Sequence, residues 1–172
     1  MAGFLSHSRI SPLAGVSGLG QRGCFSRRSF FIQAGEYLLD DNRQLPVPAD
    51  GFYGWKVVNG NKIPHHIRMK NSGVFAFAGL WDHWEGEGLI LDSCTIIVMP
   101  SNEIMKPIHE RMPAIIAPAC YDWWLDARIT DKQEIMQQLN PALSSQLTAY
   151  PVSTWVNVPK HDDEQCIQPA GS

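Results

Sequence analysis

The sequence lacks long hydrophobic runs and internal repeats, and each absence excludes a class of protein. No stretch approaches the roughly 20 consecutive apolar residues that a membrane-spanning helix needs, so none is predicted. No heptad pattern is long enough for a coiled coil, and no repeat indicates a solenoid. The apolar share of 44% and the aromatic share of 10% nevertheless exclude a chain that is disordered throughout. We therefore expect one folded domain within the 172 residues.

Acidic residues are absent before Glu36, whereas four arginines precede it. Residues 36–172 carry 10 basic and 17 acidic side chains, a formal charge of −7. Because nucleic-acid-binding surfaces are usually basic, bulk charge makes this part a poor candidate for one. Residues 1–28 are rich in Ser, Gly and Arg and have no regular period. We interpret them as a disordered or unrelated leader, with an organelle-targeting segment as the alternative.

Cysteine is scarce, and its spacing excludes two kinds of site. The four cysteines are far apart, without a CxxC pair: Cys24, Cys94, Cys120 and Cys166. This spacing argues against a zinc site and against a disulfide framework, so we expect reduced thiols in a cytoplasmic protein. Sequence motifs for a P-loop, a dinucleotide-binding turn, a serine hydrolase and a zinc protease are also missing. We expect neither a metal nor a cofactor.

The hydrophobic pattern predicts a set of strands. Segments 52–58 and 61–69 flank Asn59-Gly60, a dipeptide that suits a two-residue type I′ hairpin turn. Further strands are predicted over 74–81, 89–99 and 113–117, with the acidic, Gly-rich stretch 81–88 as a turn. The two histidines His65 and His66 fall in one predicted strand, where successive side chains point to opposite faces. They therefore cannot bind one metal ion together.

Short helices are predicted between and after these strands, over 29–42, 102–110, 118–126 and 134–139. In the second of them, Pro107 limits the helix to about two turns. The tail, 150–168, is predicted to be extended. Strands mixed with short helices, without a regular β-α-β alternation, predict a fold of the α+β class.

The segment 107–113, PIHERMP, is the strongest candidate for chemistry. It fixes His109 and Arg111 two residues apart between prolines that stiffen the backbone. Histidine is the usual general acid or base near neutral pH, and arginine presents a fork of donors suited to phosphate. From the residues alone, the alternative is a histidine whose ring is satisfied in a surface turn.

Four segments, in this order, carry a family resemblance: PADGFYGW (48–55), FAGLW (77–81), SNE running into PIHERMP (101–113), and YPVS followed by VN (150–157). This arrangement resembles the SOS-response-associated peptidase (SRAP) family, the abasic-site processing proteins. The resemblance covers roughly residues 29–168, and it divides the chain into the leader 1–28 and a partial SRAP domain, 29–172.

The resemblance implies a β-rich α+β fold with mixed and antiparallel strands, short flanking helices and a groove for single-stranded DNA. Family members crosslink to the ring-opened aldehyde of an abasic site. Their nucleophile is a cysteine exposed after the initiator Met, whose α-amine and thiol close a thiazolidine on the aldehyde. The family also has lyase activity and removes its own N-terminal residues. The partner implied is single-stranded DNA with an abasic site, bound by a monomer without membrane contact.

Site residues can be carried over one by one. His109 matches the catalytic histidine that protonates the sugar oxygen, and Arg111 matches a phosphate-contacting arginine. Trp55 matches the tryptophan that follows the catalytic glutamate, but Gly54 stands in place of that glutamate. Ala2 stands where the family has its cysteine, and no N-A-R-x-E motif occurs. We therefore expect a truncated or rearranged member without crosslinking activity.

Three alternatives remain open from the sequence. The chain is a non-catalytic module that binds single-stranded DNA, or it is the product of a gene fragment without function. The third makes Cys24 a substitute nucleophile, which requires cleavage after Gly23 to supply the α-amine.

Overall fold

The structure is a computed structural model, and it describes residues 30–33, 44–86, 89–129, 131–139 and 144–171. The predicted leader and Cys24 lie outside these residues. Within them, no helix is long and apolar enough to cross a membrane.

Strands dominate the described residues and form two sheets. The nine strands are β1 (Phe30–Gln33), β2 (Gln44–Ala49), β3 (Gly51–Val58), β4 (Asn61–Met69), β5 (Phe75–Gly86), β6 (Leu89–Pro100), β7 (Arg111–Pro113), β8 (Ile115–Ile116) and β9 (Leu147–Pro151). Helices are short: α1 (Tyr121–Trp124), α2 (Lys132–Gln138) and one-turn 3₁₀ helices at Pro118–Cys120, Ser144–Gln146, Thr154–Asn157 and Glu164–Ile167. The prediction of a β-rich α+β fold is confirmed.

The larger sheet has the order β1-β6-β5-β2, with β7 added to β6 and β8 added to β5. Only the β1–β6 pair is parallel among the strand pairs of the described residues. The smaller sheet has the order β3-β4-β9 and is antiparallel. The combination matches the predicted mixture of parallel and antiparallel pairing.

The β3–β4 hairpin has the predicted turn. Asn59 and Gly60 both have positive φ angles, 51° and 80°, as a type I′ turn requires. The resulting register pairs Tyr53 with His66 and Gly54 with His65, so each pair shares one face of the smaller sheet. His66 is buried and His65 is half-buried on the opposite face, as alternation predicts.

The main hydrophobic core joins the two sheets. Phe52 of β3 meets Phe77 of β5 edge to face, with ring centroids 5.7 Å apart, and Phe75 packs on Phe77 at 5.2 Å. Ile67 of β4 and Ile97 of β6 are fully buried in the same cluster. Each such side chain contributes about 1.5–3 kcal/mol on burial. This packing fixes the inner face of β3 against the larger sheet.

A second, smaller core covers the outer face of the smaller sheet. Tyr53 of β3 packs there with Val152, Val156 and Cys166 of the C-terminal segment, residues 150–171. The hydroxyl of Tyr53 donates to the carbonyl oxygen of Cys166 at 3.3 Å. The prediction of an extended tail is wrong after β9, because these contacts fold the segment into one-turn helices over the sheet.

Three other local predictions are wrong, the first because pairing between distant segments outweighs local preference. The predicted helix 29–42 begins instead as β1, which pairs with residues 95–98 of β6; residues 34–42 lie outside the described set. The predicted turn 81–88 is strand through Gly86, paired with the start of β6. The predicted helix 102–110 is a series of hydrogen-bonded turns.

We predict that Gly60→Ala lowers the free energy of unfolding by about 1 kcal/mol, because a side chain at φ 80° is strained in the left-handed region. Denaturant unfolding followed by tryptophan fluorescence measures the change. The matched control is Asn59→Gly in the same turn, which adds no side chain and leaves stability nearly unchanged. Equal stability of Gly60→Ala and the wild type contradicts the assigned turn.

Candidate functional site

The His109 loop, residues 101–110, connects β6 to β7 and is closed at its base. Pro100 pairs with Arg111 across the two strands, and the N–H of Ser101 donates to the carbonyl oxygen of Glu110 at 3.0 Å. Because β6 lies inside the larger sheet and β7 adds to it, both ends of the loop are held by the core. His109 is therefore presented from a rigid base.

Hydrogen bonds within the loop replace the predicted helix. The side-chain oxygen of Asn102 accepts from the N–H of Met105 at 3.0 Å, and the Asn102 carbonyl accepts from Lys106 at 2.8 Å. The carbonyl of Met105 accepts from the N–H groups of both Ile108 and His109, each at 2.8 Å. Pro107 has no N–H to donate, so the helical hydrogen-bond pattern cannot continue through it.

The imidazole of His109 has a defined orientation. Its Nδ1 accepts a hydrogen bond from the N–H of Arg111 at 3.0 Å, so in the neutral ring the proton is on Nε2. Burial of the half-buried ring lowers the pKa of His109 below its ordinary value of 6.5, and the positive charge of Arg111 acts in the same direction. The ring is mainly neutral at pH 7, and its protonated form is a stronger acid than free imidazolium.

Gly54 of β3 lies directly against this loop. It is buried, and a Cβ atom built on it would lie 3.0 Å from Cγ2 of Ile108 and 3.2 Å from Cε of Met105. Ile108 precedes His109, so the strand and the histidine segment are in contact. A larger side chain at position 54 requires these two neighbours to move by a few tenths of an ångström.

Trp55 leaves β3 on the face opposite to Gly54, because strand residues alternate. Its indole N–H donates to the side-chain oxygen of Asn157 at 2.9 Å, and its ring lies 6.4 Å from that of Tyr53. The structure thus brings Gly54 to the His109 loop and brings Trp55 to the C-terminal segment. That Trp55 and Arg111 share a DNA surface with His109 stays a prediction.

Sequence reasoning missed a buried polar cluster on the outer face of the smaller sheet. His66 contacts the hydroxyl of Tyr150 through Nδ1 at 3.0 Å, and that hydroxyl donates to the carbonyl of Ile167 at 2.9 Å. Since the tyrosine proton is used there, Nδ1 of His66 is the donor. Burial lowers the pKa of His66 to about 4, with nearby Asp50 opposing the shift and Arg68 adding to it.

No metal-binding group emerges in the part of the chain that the structure describes: no three His, Cys, Asp or Glu side chains converge. Cys120 and Cys166 carry free thiols. The side chains that the sequence singled out at this loop are the imidazole of His109 and the guanidinium of Arg111, with the carboxylate of Glu110 between them in sequence.

Comparison with known proteins now gives the family. The sequence model for the SOS response associated peptidase (SRAP) family matches residues 37–159, which include β3, the His109 loop and β9. The chain belongs to the SRAP family. It is similar to abasic site processing protein YoqW of Bacillus subtilis, with 41% identity over 129 residues, covering 74% of this chain and 58% of YoqW.

More distant relatives and solved structures agree with this family. Abasic site processing protein HMCES of Gallus gallus is 31% identical over 148 residues, covering 74% of this chain and 44% of HMCES. A solved structure of a Bacteroides thetaiotaomicron protein matches with a TM-score of 0.68 and 28% identity, covering 74% of this chain and 57% of that one. The chain thus spans less than two-thirds of the length of these relatives.

We predict that the free energy of unfolding falls by about 3 kcal/mol as the pH drops from about 6.5 to about 4. Over this range His66 is protonated in the unfolded chain but stays largely neutral in the folded chain, because its pKa there is lower. Acid therefore favours the unfolded state. Denaturant unfolding at a series of pH values measures the loss, and His66→Gln should reduce it while keeping an amide donor for Tyr150.

The matched control is His65→Gln, because His65 is the neighbouring histidine of β4 and lies on the opposite face of the smaller sheet. This variant should keep the wild-type pH dependence. An unchanged pH dependence in His66→Gln contradicts the assigned burial of His66.

Proposed function

We propose that this chain binds single-stranded DNA at abasic sites through the His109 loop and does not form the covalent link that the family resemblance implies. We also propose that the chain acts as a monomer in the cytoplasm. The observation that carries it is the contact between Gly54 and the His109 loop. This contact places residue 54, where the family resemblance implies a glutamate, beside the loop that carries His109, the implied general acid. Because residue 54 is glycine, the carboxylate of that glutamate is missing. The names of YoqW and HMCES, abasic site processing proteins, support the substrate class.

His109 supplies proton transfer in this proposal. An abasic sugar is mainly a closed hemiacetal; protonation of its ring oxygen breaks the bond to C1, and loss of the C1 hydroxyl proton to water gives the aldehyde. Burial favours this role, because a histidine with a lowered pKa gives up its proton more readily once protonated. In the neutral ring the N–H of Arg111 donates to Nδ1 and the ring proton is on Nε2, so formation of the imidazolium that protonates the sugar oxygen breaks this bond.

Arg111 supplies the phosphate contact. Its guanidinium can present two parallel N–H groups to phosphate oxygens, and its backbone N–H is already used to orient His109. The exposed carboxylate of Glu110 lies between the two in sequence and weakens the positive field. We therefore expect weak binding that decreases as the salt concentration rises.

The covalent step needs groups that the sequence does not combine on one residue. Thiazolidine formation joins an α-amine and a thiol of one residue to the aldehyde carbon and releases one water molecule. In a polypeptide with the printed sequence, position 2 is Ala2 and the cysteines are internal. Gly54, in turn, cannot accept or donate a proton.

We predict that Arg111→Gln weakens binding to single-stranded DNA and reduces the slope of log Kd against log salt by about 0.7, the value for one lost phosphate contact. Fluorescence anisotropy with a labelled oligonucleotide measures both. The control is Arg128→Gln, because Arg128 is paired with Asp126 and is highly exposed. Equal binding by the Arg111 and Arg128 variants contradicts the assigned DNA surface.

We also predict no covalent adduct between the 172-residue polypeptide and single-stranded DNA that carries one abasic site. A denaturing gel after incubation is the measurement. A heat-stable shifted band overturns this part of the proposal, and its loss in Cys24→Ala would identify the substitute nucleophile.

A gain-of-function version sharpens the same test. Fusing an N-terminal segment that carries the family's exposed cysteine and N-A-R-x-E motif, together with Gly54→Glu, should produce the band. The same fusion with Gly54 retained should give a slower reaction, since acid–base assistance is typically worth about 10²–10⁴-fold. Equal rates for the two fusions contradict the role given to position 54.

A further inference from the structure

Asn102 is a buried polar residue in the connection from β6 to β7. Its exposed fraction is 7%, although asparagine is normally a surface residue. Its backbone N–H lies 3.4 Å from the sulfur of Met112, and its side-chain oxygen accepts from the N–H of Met105. Met105 and Met112 are themselves fully buried. Burying an amide among such side chains costs free energy unless the amide forms hydrogen bonds.

That hydrogen bond begins a short path to the imidazole. Asn102 fixes the amide of Met105, and the carbonyl of the same Met105 accepts from the N–H of His109 at 2.8 Å. The next bond runs from the N–H of Arg111 to Nδ1 of His109. Position and ring orientation of His109 therefore depend on a turn whose first contact is the Asn102 side chain.

The second amide atom of Asn102 adds an independent observation. Its Nδ2 is buried and has no hydrogen-bond partner among the residues that the structure describes. The side chain is thus used through its oxygen alone, as in an N-cap, where serine, threonine and aspartate serve equally well. A neutral residue with one acceptor oxygen should therefore replace Asn102, whereas alanine should not.

We propose that Asn102 is a positioning residue for His109: its side-chain oxygen caps the turn that sets where the imidazole sits and how far it is withdrawn from water. This inference rests on the proposed function for its consequence in DNA binding. The link from Asn102 to His109 is a property of the free protein and can be measured without DNA.

The first readout is the pKa of His109, which an NMR titration of its ring protons measures. The variant His109→Gln assigns these resonances. In Asn102→Ala the turn loosens and the ring gains water, so the pKa should rise towards 6.5. Hydrogen exchange of the His109 amide should accelerate about fivefold, the equivalent of a typical cap. Asn102→Ser should restore both values.

The matched control is Asp131→Ala. Asp131 caps α2 in the same way, accepting from the N–H groups of Gln133 and Glu134 at 2.7 and 3.4 Å. Its loss should lower stability by a similar amount, yet it should leave the pKa of His109 at the wild-type value. This separates positioning of His109 from a general loss of stability.

Each outcome decides one claim. An unchanged His109 pKa in a folded Asn102→Ala, or an equal shift in Asp131→Ala, overturns the inference. A shift specific to Asn102→Ala, with rescue by serine, supports it, and binding to abasic single-stranded DNA should then weaken about fivefold. If the pKa shift appears but the wild type binds no DNA, the proposed function fails while the positioning role of Asn102 is supported.

Discussion

The contact between Gly54 and Ile108 unites the candidate site, because it is where the smaller sheet meets the His109 loop. The strand on one side is fixed by the core around Phe52, and the loop on the other side is fixed at its base by β6 and β7. A close approach of backbone and side chain is possible since Gly54 has no Cβ. The same absence removes the carboxylate that the family resemblance places there, so one residue sets both the packing and the missing chemistry.

Local sequence signals predicted the elements whose structure is decided locally. Asn59-Gly60 specified the hairpin of β3 and β4, and the apolar runs specified β5 and β6. The failures concern segments whose partners are distant in sequence: β1 pairs with β6 some 65 residues later, and the C-terminal segment folds over Tyr53. In both, contacts with a sheet built from distant residues outweigh local preference, and a short window of sequence does not contain those contacts.

The candidate site was predictable only where residue type and spacing carry the chemistry. His109 and Arg111 stood out between two prolines, whereas Asn102 and Asn157 belonged to the family segments without an assigned role, since each acts through one side-chain hydrogen bond formed in the folded chain. Membership of the SRAP family is shown by the match over residues 37–159. The matched part of this chain spans 58% of YoqW.

The most direct measurement is a nuclear Overhauser effect between the Hα protons of Gly54 and the γ2 methyl group of Ile108 in the isotopically labelled protein. The account predicts a strong cross-peak, because a Cβ on Gly54 would lie only 3.0 Å from that methyl carbon. Absence of the cross-peak, with both resonances assigned and the β3–β4 hairpin contacts present, would contradict the placement of β3 against the His109 loop.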